Sequence, residues 1–264
     1  MIELNLKANG KRLPWNNNNA AVTVAIPYMP TAAELQNTEH IVIQYVDAAG
    51  HATPVTSGKY DASIGAVRFT THHFSQYAVA YAERSFQDLG QHAWAKKQIE
   101  VLSSKGVING TTENKFSPAA KITRAEYLTL LVKTLGLTTN FDSSFADVKQ
   151  GSYYYEAAGI AKKLGIAGGS GDNKFNPNAP VSRQDMMVMT DKALQKVNKR
   201  AATTSTAALD SFSDRADIAG YAAASLTALV QEGLITGSDG KIAPKAPTTR
   251  AEAAVFLYRI YNQN

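Results

Sequence analysis

The sequence contains no cysteine, which excludes disulfide bonds, thiolate metal sites and a cysteine nucleophile. No apolar run reaches the roughly 18 residues that a transmembrane helix needs, so membrane insertion is not expected. The opening residues, M-I-E-L-N-L-K, lack the apolar segment of a secretory signal. The chain is therefore expected to be either intracellular or a piece of a larger secreted protein.

Patterns that would indicate a catalytic or metal site are also missing. The adjacent residues His72 and His73 would point to opposite faces of a strand, which argues against a shared metal ion. The loop G-S-G-D-N-K-F-N-P-N at 169–178 lacks the regular acidic ligands of a calcium loop. No pair of carboxylates stands out as a glycosidase centre. We therefore predict a protein without enzymatic activity, metal or cofactor.

The charge of the chain leaves two interpretations open. A net charge of +5 fits an anionic partner, and it fits a generally basic soluble surface equally well. The basic residues form no cluster of the kind that binds nucleic acid, so a nucleic-acid partner is not predicted.

Residues 1–84 have the pattern of a β domain. Four segments are short and rich in β-branched or aromatic residues, and turn signals containing Gly, Asn, Pro and Asp separate them. They are Ala21–Ile26, His40–Val46, Ala66–Thr71 and Tyr77–Tyr81. A small antiparallel β sandwich or sheet is the expected fold.

From Phe86 onward the sequence repeats a pattern three times. Each unit contains F-x-D, an aromatic residue, a G-x-x-x-G segment, a K-[FI]-x-P block, and then a hydroxyl residue, an arginine and an acid. The closing motifs are T-R-A-E at 123–126, S-R-Q-D at 182–185 and T-R-A-E at 249–252. Apolar residues at helical spacing predict a helix–loop–helix in each unit. The units and the segment between the last two are predicted at 85–140, 141–198, 199–210 (linker) and 211–264.

Several repeated residues have a structural explanation. Thr123 and Glu126 have the spacing of a capping box, Thr249 and Glu252 repeat it, and Ser182 with Asp185 form an imperfect version because Asp is short. The glycines that follow the first helices are expected in the left-handed region that ends a helix; they are Gly106, Gly165 and Gly233. The F-x-D aspartates are expected to cap helix starts: Asp88, Asp147 and Asp214. The repeated aromatics are expected mainly to pack, with sugar stacking as the alternative: Trp94, Tyr153 and Tyr221.

Capping does not explain the arginine at the first position of each second helix. A cation there is disfavoured by the helix dipole, so we interpret it as part of an anion site beside free helix N-terminal amides, with a solvated arginine as the alternative. Glycine-rich segments would allow a ligand close to the backbone, although a tight turn explains them equally well. The predicted ligand-binding residues are Arg124, Arg183, Arg250, Thr123, Ser182, Thr249, Asn109, Gly110, Gly169, Ser170, Gly237 and Ser238.

The repeated series resembles the S-layer homology (SLH) domain, present three times over about residues 86–262. The resemblance implies a β domain followed by an all-α, pseudo-threefold bundle of three repeats with grooves between them, in a monomer with an internal pseudo-trimer. It implies an extracellular cell-wall anchor of a larger exported protein. The implied partner is a secondary cell-wall polymer with pyruvylated N-acetylmannosamine, whose carboxylate would meet Arg124, Arg183 and Arg250. An S-layer self-assembly module with weak glycan binding is the alternative.

This chain departs from the family pattern in two of its repeats. The second closes with S-R-Q-D, and the third has G-K-I-A-P and carries Tyr221 where the family often has Trp. The first groove is therefore expected to be nearest to the family standard. The segment H-F-S-Q-Y-A-V at 73–79 is similar to segments that precede SLH triplets, and it implies no activity.

Overall fold

The computed structural model of the protein describes residues 1–18, 20–169, 172–198 and 206–263. The chain divides into two compact units, Met1–Ser117 and Pro118–Asn264. Most of the predicted linker, residues 199–205, lies outside the described residues. In the rest of it, Ala207–Leu209 form a single 3-10 turn in which Leu209 is buried.

The first unit contains antiparallel sheets built from short strands. The strands are β1 (Ile2–Glu3), β2 (Leu6–Ala8), β3 (Lys11–Leu13), β4 (Val22–Pro27), β5 (Ile41–Val46), β6 (Ala52–Val55), β7 (Lys59–Asp61), β8 (Ala66–Thr71) and β9 (Gln76–Tyr81). One sheet has the order β1-β9-β5-β6, a second has β4-β8-β7, and β2 pairs with β3. The four predicted strands are confirmed to within one residue at each end.

The core of these sheets comes from strands of both larger sheets. It contains Ile26 from β4, Ile41 and Ile43 from β5, Val67 and Phe69 from β8, and Tyr77 from β9. In the second half of β8 buried and exposed residues alternate, as expected when one face of a strand packs on a core. The Tyr77 hydroxyl also lies 2.7 Å from the Thr71 hydroxyl, so the polar end of this buried ring is satisfied.

Helix α1 (Ala93–Ser104) belongs to the same compact unit as the strands. Lys105, directly after it, is 2% exposed, and its Nζ donates to the carbonyls of Ile41 at 2.5 Å and Gly58 at 2.8 Å. Burial lowers the pKa of Lys105 to about 7, with Glu39 opposing and Lys59 reinforcing that shift. The compact unit therefore extends past the predicted boundary at 84, which was placed from the repeat pattern.

The second unit is helical in its described part. Its helices are α2 (Arg124–Leu135), α3 (Tyr155–Lys163), α4 (Arg183–Asn198), α5 (Gly220–Gln231) and α6 (Arg250–Gln263). The residues at the predicted helical spacing are mostly buried, among them Leu128, Leu131, Met186 and Leu257. Val197, in the last turn of α4, is an exception at 37% exposed. The helix–loop–helix prediction is confirmed for each repeat.

The first helix of each repeat ends in the same way. Gly106, Gly165 and Gly233 have φ values of +71°, +71° and +70°, as predicted for a left-handed C-terminal glycine. After α1, the amide of Gly106 donates to Ser103 and that of Val107 donates to Leu102, which is the Schellman pair of bonds. The same two bonds recur after α3 and α5, so the end of each first helix is encoded locally.

Candidate ligand site at the repeated arginines

The F-x-D aspartates join distant parts of one repeat. The Asp147 carboxylate accepts the backbone N–H groups of Phe175 and Asn176, both at 2.8 Å. Asp88 accepts from Phe116 and Ser117, and Asp214 accepts from Ile242 and Ala243. Burial of Asp147 raises its pKa, but the accepted N–H bonds outweigh that effect and the net pKa is lowered. The prediction that these aspartates cap helix starts was wrong, because they bind backbone 28 and 29 residues later.

The capping boxes lie where the sequence indicates. Thr123 accepts from the Glu126 amide at 3.2 Å, and Glu126 accepts from the Thr123 amide at 2.7 Å. Thr249 and Glu252 form the same reciprocal pair. Ser182 accepts from the Asp185 amide, but in the described part of the chain Asp185 returns no bond to the Ser182 amide and instead accepts from the Ser182 hydroxyl. The imperfect box predicted for the second repeat is therefore present.

The residues directly before the three hydroxyl positions form a closed ring of backbone hydrogen bonds. Ile122 donates to Thr248, Thr248 donates to Val181, and Val181 donates to Ile122, each at 3.0 Å. All three side chains are 0% exposed. The ring brings the three closing motifs together, although they are about 60 residues apart in sequence.

The N-terminal amides of the second helices are already hydrogen-bonded. Arg124, Arg183 and Arg250 donate their amides to Ala179, Ala246 and Ala120, at 2.9–3.0 Å. The next amides, of Ala125, Gln184 and Ala251, donate to Pro177, Pro244 and Pro118. The third amides donate to the capping hydroxyls. The expectation of free amides beside each arginine was therefore wrong, and the guanidinium groups are the donors that remain for an anion.

Each arginine side chain reaches the closing motif of another repeat. The Nη1–carboxylate pairs are Arg124–Asp185 at 3.5 Å, Arg183–Glu252 at 3.4 Å and Arg250–Glu126 at 3.6 Å. The side chains are 17%, 22% and 11% exposed respectively, so none is a freely solvated cation. Like the backbone bonds, these ion pairs close into a ring.

The guanidinium groups of Arg124 and Arg183 are also held through their Nε atoms. Arg124 Nε donates to the Phe175 carbonyl at 3.0 Å, and Arg183 Nε donates to the Ile242 carbonyl at 2.8 Å. Arg124 also lies over the Phe175 ring, 5.0 Å from its centroid. Within the described part of the chain, Nη2 of Arg124 and Nη2 of Arg183 make no hydrogen bond. An anion that binds Nη2 would therefore meet a guanidinium that is already fixed in position.

Sequence reasoning assigned the three acids to capping alone and missed their second contact. In Glu252, Oε2 accepts from the Thr249 amide at 2.7 Å and hydroxyl at 2.8 Å, while Oε1 faces Arg183. In Glu126, Oε2 accepts from the Thr123 amide while Oε1 faces Arg250. The sequence shows an arginine and an acid at a fixed spacing in every repeat. It does not show that each arginine pairs with the acid of another repeat.

The repeated aromatic residues are exposed, so the expectation that they mainly pack was wrong. Trp94, Tyr153 and Tyr221 are 55%, 67% and 62% exposed. The Tyr221 hydroxyl donates to Asp185 Oδ1 at 2.7 Å and accepts from Gln184 Nε2 at 3.2 Å. Burial and then the bond to Asp185 raise the pKa of Tyr221 to about 12. Tyr221 therefore places an exposed aromatic face beside the Arg124–Asp185 pair, where a sugar ring could stack.

The glycine-rich segments have a packing role. A Cβ on Gly110 would lie 2.6 Å from the Phe86 ring, and one on Gly237 would lie 2.7 Å from the Phe212 ring. Ser238 forms a tight turn with Lys241. Gly169 is exposed, and a Cβ there would lie 3.2 Å from the Lys174 carbonyl oxygen. Asn109 is exposed, and Ser170 lies outside the described residues. These positions remain predicted ligand contacts, and close packing accounts for Gly110 and Gly237.

The described residues contain no group of three or more His, Cys, Asp or Glu side chains that could hold a metal ion. His72 faces the carbonyls of Asn17 and Ala20, whereas His73 packs edge-on against Tyr45. Among the described helices, none is long and apolar enough to span a bilayer.

Comparison with known proteins identifies the repeats. The S-layer homology domain family matches residues 85–128, 144–187 and 211–254. An amylopullulanase of Thermoanaerobacterium thermosulfurigenes is 31% identical over 252 residues, which is 92% of this chain and 13% of that protein. The exoglucanase XynX of Acetivibrio thermocellus is 31% identical over 68% of this chain, or 16% of its own length. The S-layer protein sap of Bacillus anthracis is 30% identical over 70% of this chain, or 22% of its own length.

Proposed function

Because the chain belongs to the S-layer homology family, we propose that it anchors a larger exported protein non-covalently to the cell wall. The SLH domain is a non-catalytic anchor domain found in S-layer proteins and cell-surface enzymes of Gram-positive bacteria, so the chain is a cell-surface module. It spans less than a quarter of the length of the relatives named above. Its own role is binding, and it has no catalytic activity of its own.

The ligand is a secondary cell-wall polymer, bound through pyruvylated N-acetylmannosamine units in grooves between the repeats. The observation that carries this proposal is the fixed, partly exposed guanidinium at the start of each second helix. In Arg124 and Arg183 the N–H groups of Nη2 remain as donors for a carboxylate, and the ketal pyruvate supplies one. The exposed ring of Tyr221 beside Arg124 supports stacking on the sugar.

The three repeats form a pseudo-threefold bundle, and the chain is a monomer. The closed rings of backbone bonds and ion pairs support this arrangement, since each closing motif uses the same atoms toward the next. S-layer proteins among the relatives favour a second candidate, in which the chain mainly drives array assembly. Light scattering at rising concentration separates the two, because a wall anchor stays monomeric whereas an assembly module forms growing particles.

Calorimetric titration with a purified wall-polymer fragment tests the anchor. The fragment is used with its pyruvate intact and removed, against the wild type and Arg124→Ala, Arg183→Ala and Arg250→Ala. Arg215→Ala is the control, because Arg215 is an exposed arginine that pairs with Asp210 and carries the same charge. We expect binding that requires pyruvate and falls at least roughly tenfold for one or more groove arginines, with Arg215→Ala unchanged. Binding that ignores pyruvate and all three arginines would refute the carboxylate site.

A further inference from the structure

We propose that the acids of the closing motifs, Glu126, Asp185 and Glu252, determine the charge of the ligand that the grooves accept. They favour a singly charged carboxylate over a doubly charged phosphate ester. This inference rests on the proposed function, because it concerns the same arginines. It assigns to the acids a specificity role in addition to helix capping.

Each arginine site is close to neutral before a ligand arrives. Each guanidinium already has one carboxylate within 3.4–3.6 Å. The local pair is therefore close to neutral, and an incoming anion meets a negative neighbour together with the arginine. A distance of 3.4–3.6 Å is long for a charge-assisted hydrogen bond, so the acid leaves guanidinium N–H donors for a ligand.

The first three backbone amides of each described second helix are not free to bind a ligand. Phosphate sites at helix N-termini depend on free backbone amides to balance the second charge. Here the first three amides of α2, α4 and α6 donate to carbonyls or capping hydroxyls. One guanidinium, already paired, is the cationic group that the motif offers in each groove.

Hydrogen bonds hold each acid in place beside its arginine. Glu252 Oε2 is held by the amide and hydroxyl of Thr249, and Asp185 is held by Ser182 and Tyr221. Repulsion between ligand and acid therefore remains when the ligand binds. At about 5 Å and an effective dielectric near 20, repulsion by the acid alone corresponds to roughly a few hundredfold in affinity per ligand charge, and the attraction of the arginine offsets part of it. A phosphate monoester carries about one extra charge at neutral pH.

The test compares two ligands and three proteins. One ligand is the pyruvylated polymer fragment, and the other is the same fragment with a phosphate monoester in place of pyruvate. The variant combines Glu126→Gln, Asp185→Asn and Glu252→Gln, because Gln retains the capping geometry of Glu. The control combines Glu113→Gln, Asp172→Asn and Glu156→Gln, which are exposed acids with the same change in charge and no described contact to the arginines. Dissociation constants come from calorimetry, and melting temperatures verify folding.

We expect the wild type and the control to prefer the carboxylate by about tenfold or more. In the triple amide variant, affinity for the phosphate ester should rise at least about tenfold, and the preference should shrink accordingly. An unchanged preference in the folded variant overturns the inference and leaves the anchor function intact. A folded variant that binds neither ligand also overturns it, since the acids would then only position the arginines. Failure of the wild type to bind the pyruvylated fragment refutes the proposed function itself.

Discussion

Replacing Thr248 with valine should stabilise the protein, and this is the sharpest test of the ring at the closing motifs. Thr248 is 0% exposed, and its hydroxyl has no hydrogen-bond partner among the described residues. The other two ring positions, Ile122 and Val181, are apolar and equally buried. The Thr248 hydroxyl is therefore the one side-chain polar atom among the three ring positions.

The magnitude follows from the buried hydroxyl. A buried hydroxyl without a partner costs about 1–3 kcal/mol, and Thr248→Val exchanges it for a methyl group of nearly the same volume. Both side chains are β-branched, so the rotamer and the backbone of the ring are retained. We expect the free energy of unfolding to rise by about 1–2 kcal/mol, and the melting temperature to rise by roughly 2–6 °C.

The assay is urea unfolding of the wild type, Thr248→Val and a matched control, Thr227→Val. Thr227 is also 0% exposed, but its hydroxyl donates to the Ala223 carbonyl at 2.9 Å. The control should therefore be neutral or destabilised by about 1 kcal/mol, since it loses a hydrogen bond. If both valine variants lose stability alike, the Thr248 hydroxyl is satisfied in solution and the reasoning is wrong.

Three further predictions concern single contacts, each measured by urea unfolding. Asp147→Ala should lower the free energy of unfolding by about 2 kcal/mol, because the Phe175 amide loses a charge-assisted partner; Asp142→Ala, which removes only an exposed pair with Lys163, should change it little. Ala243→Asn should raise it by roughly 0.5–1 kcal/mol, since Ala243 has φ +55° and asparagine tolerates the left-handed region. Between pH 7 and about 10.4 the stability contributed by Lys105 should rise with pH, because its folded pKa of about 7 lies below the unfolded value and the unfolded chain binds more protons. Lys105→Met should flatten that slope.

Each of these has an outcome that contradicts it. An Asp147→Ala variant as stable as wild type would mean that the 28-residue link contributes nothing. An Ala243→Asn variant that is less stable would mean that the left-handed position is unstrained in alanine. A pH slope that persists in Lys105→Met would assign it to other groups.

Features determined by neighbouring residues could be predicted from the sequence. The four long strands, the helix pairs, the capping boxes and the glycine helix ends depend on alternation, helical spacing or short motifs. The short strands β1–β3, β6 and β7 were not predicted, because two to four residues carry too little pattern and pairing decides them.

Contacts between distant segments could not be predicted in the same way. Asp88, Asp147 and Asp214 all bind backbone 28 and 29 residues later, and that constant spacing was visible in the sequence without indicating a bond. Arg183 and Glu252 are 69 residues apart, and only the closure of the ring brings them together. For the same reason the helix N-terminal amides were expected to be free, since the carbonyls that bind them come from other segments.

The hydrogen-bond ring of Ile122, Val181 and Thr248 also limits how many copies of the motif one assembly can hold. In a linear repeat array, each end presents an unpaired face, and the array can lengthen by adding a unit there. In the ring, each of the three backbone segments donates one hydrogen bond and accepts one. Each segment is therefore already paired with both of its neighbours. A fourth copy inserted by gene duplication would have to open an existing bond or remain outside. Growth by duplication is therefore expected to proceed in whole triplets.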